Sequence, residues 1–328
     1  MQRRYLLFFI IIFLSGLSLS GQSTKIRLSY PVYSQYLHNG LLINPAYAGS
    51  RDVLSFFLSD RMQWENVEGA PRSQTASFHT LSKNDRVGFG LSGQRLIYGT
   101  KDYGTSELYS VYADYAYHLK LRNGKLSLGL KAGFDHSKSG FTDAFRKTLT
   151  SYTNPIPAPD PVFVNDDKPY YLFNAGAGFY YYDNKFFLGA AIPQFLGYEK
   201  SGSSKLAPKP FSDVDVYVTA GGLITFSPSF KFKPSVFVDY SVQRTRGMRI
   251  DLNGNFIIKD FLWLGGSWRT SENVAIGIIQ LQINPQIMFG YSYDYAVGRM
   301  NTYSKGSHEI VLRYEFTYKV SAANPKYF

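Results

Sequence analysis

The stretch Phe230-Lys231-Phe232-Lys233-Pro234-Ser235-Val236-Phe237-Val238-Asp239-Tyr240-Ser241-Val242 changes character at nearly every residue. Phe230, Phe232, Pro234, Val236, Val238, Tyr240 and Val242 share one face of an extended chain. Lys231, Lys233, Ser235, Asp239 and Ser241 lie on the other. Side chains alternate across a strand, so one face suits lipid and the other suits water. Four more stretches read the same way, at 109–119, 126–134, 287–295 and 310–318.

Working outward from these, the unit is about ten alternating residues followed by a break of Gly, Pro, Asn, Asp or Ser. It recurs near 53–61, 74–82, 86–97, 107–120, 125–138, 170–182, 185–192, 214–226, 230–243, 248–258, 261–270, 273–283, 286–296 and 308–319. That makes fourteen segments, an even number of the kind a single-chain up-and-down barrel needs. The segment at 273–283 is the least patterned, because Val274 to Ile279 is apolar on both faces. The breaks alternate in length. Lys83-Asn84-Asp85, Arg122-Asn123-Gly124, Asp183-Asn184, Ser227-Pro228-Ser229, Lys259-Asp260 and Asn284-Pro285 are short. Those at 62–73, 98–105, 139–169, 193–213, 244–247 and 297–307 are mostly longer, with 271–272 an exception. Short periplasmic turns and long extracellular loops characterise outer-membrane barrels, and a soluble β-sandwich has no reason to alternate in this way. The expected fold is therefore an all-β, transmembrane antiparallel barrel of about fourteen strands in the cell outer membrane, with both ends periplasmic.

Composition agrees with this. Arg3 and Arg4, the apolar run Tyr5 to Leu14 and the small residues Ser15 to Gly21 form an export signal. The run is too short for a membrane-spanning helix, and no second long apolar run follows residue 21. Mean hydropathy is −0.19, which excludes a helical membrane protein. With no cysteine, the chain has no disulfide, thiolate metal site or lipidated N-terminal Cys. The formal charge of +11 is spread singly rather than in clusters, which speaks against nucleic acid and for loops or a lumen facing anionic headgroups or an acidic partner. The expected organisation is a signal peptide at 1–21, an N-terminal periplasmic or plug segment at 22–52, the barrel at 53–319 and a tail at 320–328.

Catalytic chemistry finds little to use. His38, His79, His118, His136 and His308 show no metal-ligand spacing, and no HExxH occurs. Ser77 and His79 share a strand face but lack a third orienting residue. Gly88-Phe89-Gly90 and Gly176-Ala177-Gly178 sit inside strands, where glycine fits close backbone approach or bends in a curved sheet rather than a phosphate loop. No enzyme activity and no cofactor are expected. Pro155, Pro157, Pro159 and Pro161 make the loop at 139–169 stiff and extended, either an exposed loop that resists aggregation or a lid or plug over the pore or a contact for a secreted partner. Tyr180, Tyr181, Tyr182, Tyr115 and Tyr117 lie near segment ends, as an aromatic girdle requires. Phe237 and Tyr112 are expected to point inward and help fill the lumen.

The residues before the first strand are not patterned as lipid-facing strand. They read Tyr33-Ser34-Gln35-Tyr36-Leu37-His38-Asn39-Gly40-Leu41-Leu42-Ile43-Asn44-Pro45-Ala46-Tyr47-Ala48-Gly49-Ser50. Gln63-Trp64, Gly69-Ala70-Pro71 and Gln74-Thr75 follow that strand. With the INPAYAG segment, the QW and GAP pieces and the Gly/aromatic barrel behind them, the sequence resembles the PorP/SprF family of the type IX secretion and gliding-motility system of Bacteroidetes. The resemblance covers nearly the whole mature chain. It implies an integral outer-membrane protein that works with the type IX machinery and is linked to secretion or surface attachment of large adhesins; the expected function is to bind and help secrete or anchor such an adhesin through its C-terminal domain. It also implies periplasmic or peptidoglycan-associated type IX components as partners beside outer-membrane lipid. A passive porin for small solutes is the alternative. The candidate partner-binding or plug residues are Gln35, Tyr36, Asn39, Asn44, Pro45, Ala46, Tyr47, Gly49, Trp64, Gly69, Ala70 and Pro71. Asn44-Pro45 favours a turn, while Ala46, Ala48 and Gly49 leave room for close packing against a barrel wall.

Overall fold

The computed structural model describes residues 33–102, 104–141, 170–201, 207–208, 214–242 and 248–316. The expected signal peptide, the proline-rich part of the long loop and the expected tail lie outside the described residues. Among the described residues fourteen strands form the wall: β1 (Leu54–Met62), β2 (Arg72–Leu81), β3 (Val87–Thr100), β4 (Gly104–Lys120), β5 (Lys125–Phe141), β6 (Tyr170–Tyr182) and β7 (Phe186–Ser201). Next come β8, in two runs (Asp215–Gly222 and Ile224–Ser227), then β9 (Phe230–Ser241), β10 (Arg249–Ile258) and β11 (Leu262–Arg269). β12 (Val274–Gln282), β13 (Ile287–Ala296) and β14 (Ser307–Phe316) complete it. Each strand pairs antiparallel with the next, and β14 pairs with β1 from Leu54↔Phe316 to Met62↔His308. The sheet is thereby closed and its backbone groups are paired within the wall, which hydrocarbon demands.

The strand positions agree with the periodicity reading to within a few residues, except on one side. β3 and β4 extend to Thr100 and from Gly104, so the expected loop at 98–105 shrinks to a tight turn. β7 runs to Ser201 rather than ending near 192, with a register shift opposite β6 between Ala175 and Ala177. The alternating pattern weakens there at Pro193, but the ladder resumes beyond the bulge.

The hairpin turns follow local chemistry. Lys259 and Asp260 both take positive φ (52° and 53°), the geometry that matches a two-residue turn to strand twist. Asp183 Oδ1 accepts from the backbone N–H of Lys185 and Phe186, and Asn284 Oδ1 from Gln286 and Ile287. These side chains satisfy donors the ladder leaves open.

The faces sort as the alternation requires. Phe78, Phe89, Leu91, Leu128, Leu130, Leu252 and Leu312 are exposed outside, whereas Ser77, Asp114, Lys131, Asn255, Arg269 and Arg313 are buried inside. β12 resolves its two apolar faces by turning Val274, Ile276 and Ile278 inward as a small cluster. The tyrosine triple is a correction to the girdle reading. Tyr181 faces out beside Phe186, but Tyr180 and Tyr182 are buried in the interior. Tyr115 and Tyr117 are exposed outside, as a girdle needs. Phe237 and Tyr112 do point inward and are buried.

Candidate functional site

The interior is not an empty channel, because residues 33–53 occupy it. Three single turns of 3-10 helix, Tyr36–His38, Gly40–Leu42 and Pro45–Tyr47, wind the segment compactly. Asn44 caps the last of these by accepting from Ala46 N–H at 3.0 Å, and Pro45 stands at its first position, where a missing N–H costs nothing. The segment spans the barrel. Ala48 to Asp52 lie at the short-turn end, beside His79, His118 and Lys125, whereas Tyr33 and Ser34 reach the strand ends that carry the long loops. Its apolar residues create the interior core. Leu41, Ala46, Tyr47 and Ala48 cluster with Ala116, Tyr180, Tyr182 and Phe187, while Tyr33, Tyr36, Leu42 and Ile43 cluster with Phe237.

Near the long-loop end Ser34 is the centre of a buried ionic network. Its N–H donates to Glu309 Oε2 at 2.7 Å, and its Oγ lies 2.8 Å from both oxygens of Asp294. Arg61 donates to Ser34 Oγ at 2.9 Å and pairs with Asp294 at 2.7 Å and Glu309 at 3.3 Å. Arg269 joins from β11, reaching Asp251 and Asp294 and donating to Tyr33 O at 3.2 Å. Charges this deeply buried persist only when paired and hydrogen-bonded. Replacing Arg61 by Met keeps the volume but strips Glu309 of its guanidinium. We expect a loss of about 3–5 kcal/mol, seen as a lower unfolding midpoint in detergent, with partial recovery in Arg61→Met/Glu309→Gln.

The middle of the segment is held on several sides. Asn253 donates to Tyr36 OH at 2.8 Å, whose ring packs 4.7 Å from that of Phe237. Gln280 donates to Gln35 Oε1 at 3.1 Å, and Lys131 to the carbonyl of Leu41 at 3.1 Å. Asn44 Nδ2 donates to Phe179 O on β6 at 2.8 Å. Asn44 therefore joins local shape to wall attachment. Asn44→Ala should cost about 1–2 kcal/mol, whereas Asn44→Asp keeps the cap acceptor but buries a carboxylate oxygen against the Phe179 carbonyl and should cost more; thermal unfolding of the three proteins checks this order.

At the short-turn end, Gly49 N–H donates to His79 Nδ1 at 3.1 Å, and His118 Nε2 meets Ala48 O at 2.8 Å. Arg51 pairs with Glu315, and Lys125 with Asp52 at 2.6 Å. Gly49 takes φ 78°, a conformation natural to glycine, and it lies against Gly88. The wall glycines read from the sequence as sites of close approach have that role. A Cβ at Gly88 would overlap the Ala48 carbonyl, one at Gly90 would meet Leu41, and one at Gly178 would overlap the Asn44 side chain.

The structure divides the candidate residues in two. Gln35, Tyr36, Asn39, Asn44, Pro45, Ala46, Tyr47 and Gly49 are all in the lumen. Trp64, Gly69, Ala70 and Pro71 are not, since they form the first long loop. That loop is pinned by Trp64 N–H donating to Ser307 Oγ at 3.1 Å and Gly99 N–H to Gly69 O at 2.8 Å. The sequence reading missed the wall half of the site, Asp294, Glu309, Arg269, Gln280 and Asn253. Their signal was present as charged and amide residues on the water-facing rows of strands. His79 and Ser77 lie beneath the segment, where the His79 ring takes the Gly49 amide and packs edge-on against Tyr47 at 5.3 Å. No group of three or more potential metal ligands occurs among the described residues.

A closed fourteen-strand wall, apolar outside and polar inside, with a segment of its own chain in the lumen, defines a multi-pass β-barrel of the outer membrane. The model of the type IX secretion system membrane protein PorP/SprF matches residues 26–314, and the chain belongs to that family. No curated protein matches the sequence. Among solved structures the CymD monoaromatic hydrocarbon channel is similar at a TM-score of 0.51 and 12% identity, over 89% of this chain and 95% of that one. The Ralstonia pickettii toluene transporter TbuX matches at 0.49 and 12%, over 85% and 93%. The Acinetobacter baumannii outer membrane protein Omp33 matches at 0.42 and 12%, over 81% and 100%. At such identity CymD shares the fold alone.

Proposed function

We propose that this protein is a non-enzymatic outer-membrane component of the type IX secretion and gliding-motility system that binds a large secreted adhesin and helps secrete or anchor it. The adhesin's C-terminal domain docks on the long-loop side. Periplasmic or peptidoglycan-associated components of the system meet the short-turn side. The observation that carries this reading is the filled lumen in a member of a secretion family. A polar interior used for solute passage would be left to water, but here Ser34, Gln35, Tyr36 and Asn44 use its hydrogen-bonding groups. The porin reading has in its favour the shared fold with CymD. Affinity purification from native membranes followed by mass spectrometry tests the proposal. A secreted surface protein and type IX components are expected; their absence, together with steady conductance of the full-length protein in planar bilayers, favours the porin.

A further inference from the structure

The outer wall carries a hollow of about 600 Å³ across β14, β1, β2, β3 and β4. Its floor is Ala76 and Gly93, which pair directly with one another, and a Cβ added at Gly93 would meet nothing within 4 Å. Leu58 and Val111 flank these two in the same cross-strand row and are exposed on the lipid side. The next row toward the long loops is polar: Asp60, Gln74, Arg95 and Tyr109 are neighbours across the strands. Polar side chains on a lipid-facing row belong at the membrane interface, so this row marks the headgroup level of the outer leaflet.

Two guanidiniums stand at that level in different states. Arg72 is taken up by Asp60, with Nε to Oδ1 at 3.0 Å and the second bond at 2.5 Å. Arg95 is held loosely. Among the described residues its ion pair is with Glu107 at 3.4 Å, and Tyr109, over whose ring it lies at 5.6 Å, itself donates to Glu107 at 2.7 Å. The Arg95 side chain keeps 40% exposure, on the lipid side of the wall. A planar fork with spare donors matches a phosphate oxygen pair.

We propose that this hollow binds one phosphorylated lipid of the outer leaflet, with an acyl chain lying over Ala76 and Gly93 and its phosphate on Arg95. The occupant is a lipid because the hollow opens into the hydrocarbon band, its walls are apolar, and the adjoining cation sits where phosphate sits. Another protein pressed against the wall would leave Arg95 facing apolar surface, at the cost of desolvating it.

Native mass spectrometry of the purified full-length protein in detergent, titrated with phosphorylated lipid A and with the same lipid dephosphorylated, tests this. The wild type should hold one phosphorylated lipid through detergent exchange and the dephosphorylated form about tenfold more weakly. Arg95→Gln should remove that preference, whereas Arg72→Gln should leave it. Ala76→Leu/Gly93→Leu fills the hollow and should abolish retention of both lipids. Those side chains project outward, and an unchanged heat-modifiable band on gels verifies the fold. Equal retention of both lipids by wild type and Arg95→Gln overturns the phosphate site. Retention unaffected by filling the hollow overturns its location, as does a co-purifying protein that shields Arg95 in place of lipid.

Discussion

Deleting residues 33–51 should turn a closed barrel into an ion-conducting one. The strand ladder does not include this segment, so the wall keeps its closing pairs between β1 and β14 without it. What deletion exposes is a lining already suited to water: Asp251, Arg269, Asp294, Glu309 and Lys131 face inward. A barrel of this strand number is wide enough to admit water once its filling is removed. In planar bilayers we expect a steady current at least about tenfold above that of the full chain. Among the described residues Asp114, Asp135, Asp215, Asp251, Asp294, Glu309 and Glu315 are buried in the wall beside Arg61, Lys131, Lys231, Lys233, Arg269 and Arg313, so charges of both signs line the emptied lumen. Equal currents before and after deletion would sink the view that the segment closes the lumen.

The second large effect is expected from a single wall position. A side chain at Gly129 would collide with the backbone of Pro45 and Ala46. Backbone cannot rotate away as a side chain can, so Gly129→Leu must push the segment off β5. Overpacking of this kind costs about 1–3 kcal/mol or more. Displacement also loses the capped turn and the bond from Asn44 to Phe179. The expected result is a protein that still migrates as a folded barrel but conducts, and whose N-terminal segment is cut by added protease at a rate the wild type does not show. Gly277→Leu is the matched control, since nothing lies within 4 Å of a Cβ there. If both substitutions behave alike, the close fit at Gly129 has no functional consequence.

The same contrast shows where sequence reading succeeds. Alternation in β9 and β14 identifies strands and their lipid face, because a wall between oil and water forces a two-residue period on its side chains. Tight-turn chemistry at Asn123-Gly124 and Asp183-Asn184 marks the hairpins by the same local logic. Where inner and outer faces both accept aromatics, the reading loses its footing: Tyr180 and Tyr182 look like girdle residues until Tyr47 is seen packed against Tyr180 at 5.5 Å.

By itself, then, the sequence determined the barrel, its strand number, the sense of its faces and the family to which the segment before β1 belongs. These follow from period, turn residues and a motif, all local along the chain. Only the tertiary structure decided that this segment fills the lumen and that Trp64, Gly69, Ala70 and Pro71 stand apart from it. It also decided which charges meet, since Ser34 reaches Glu309 across 275 residues of chain. Contacts of that separation are chosen by closure of the wall and by the need to pair every buried charge, neither of which leaves a periodic trace in the sequence.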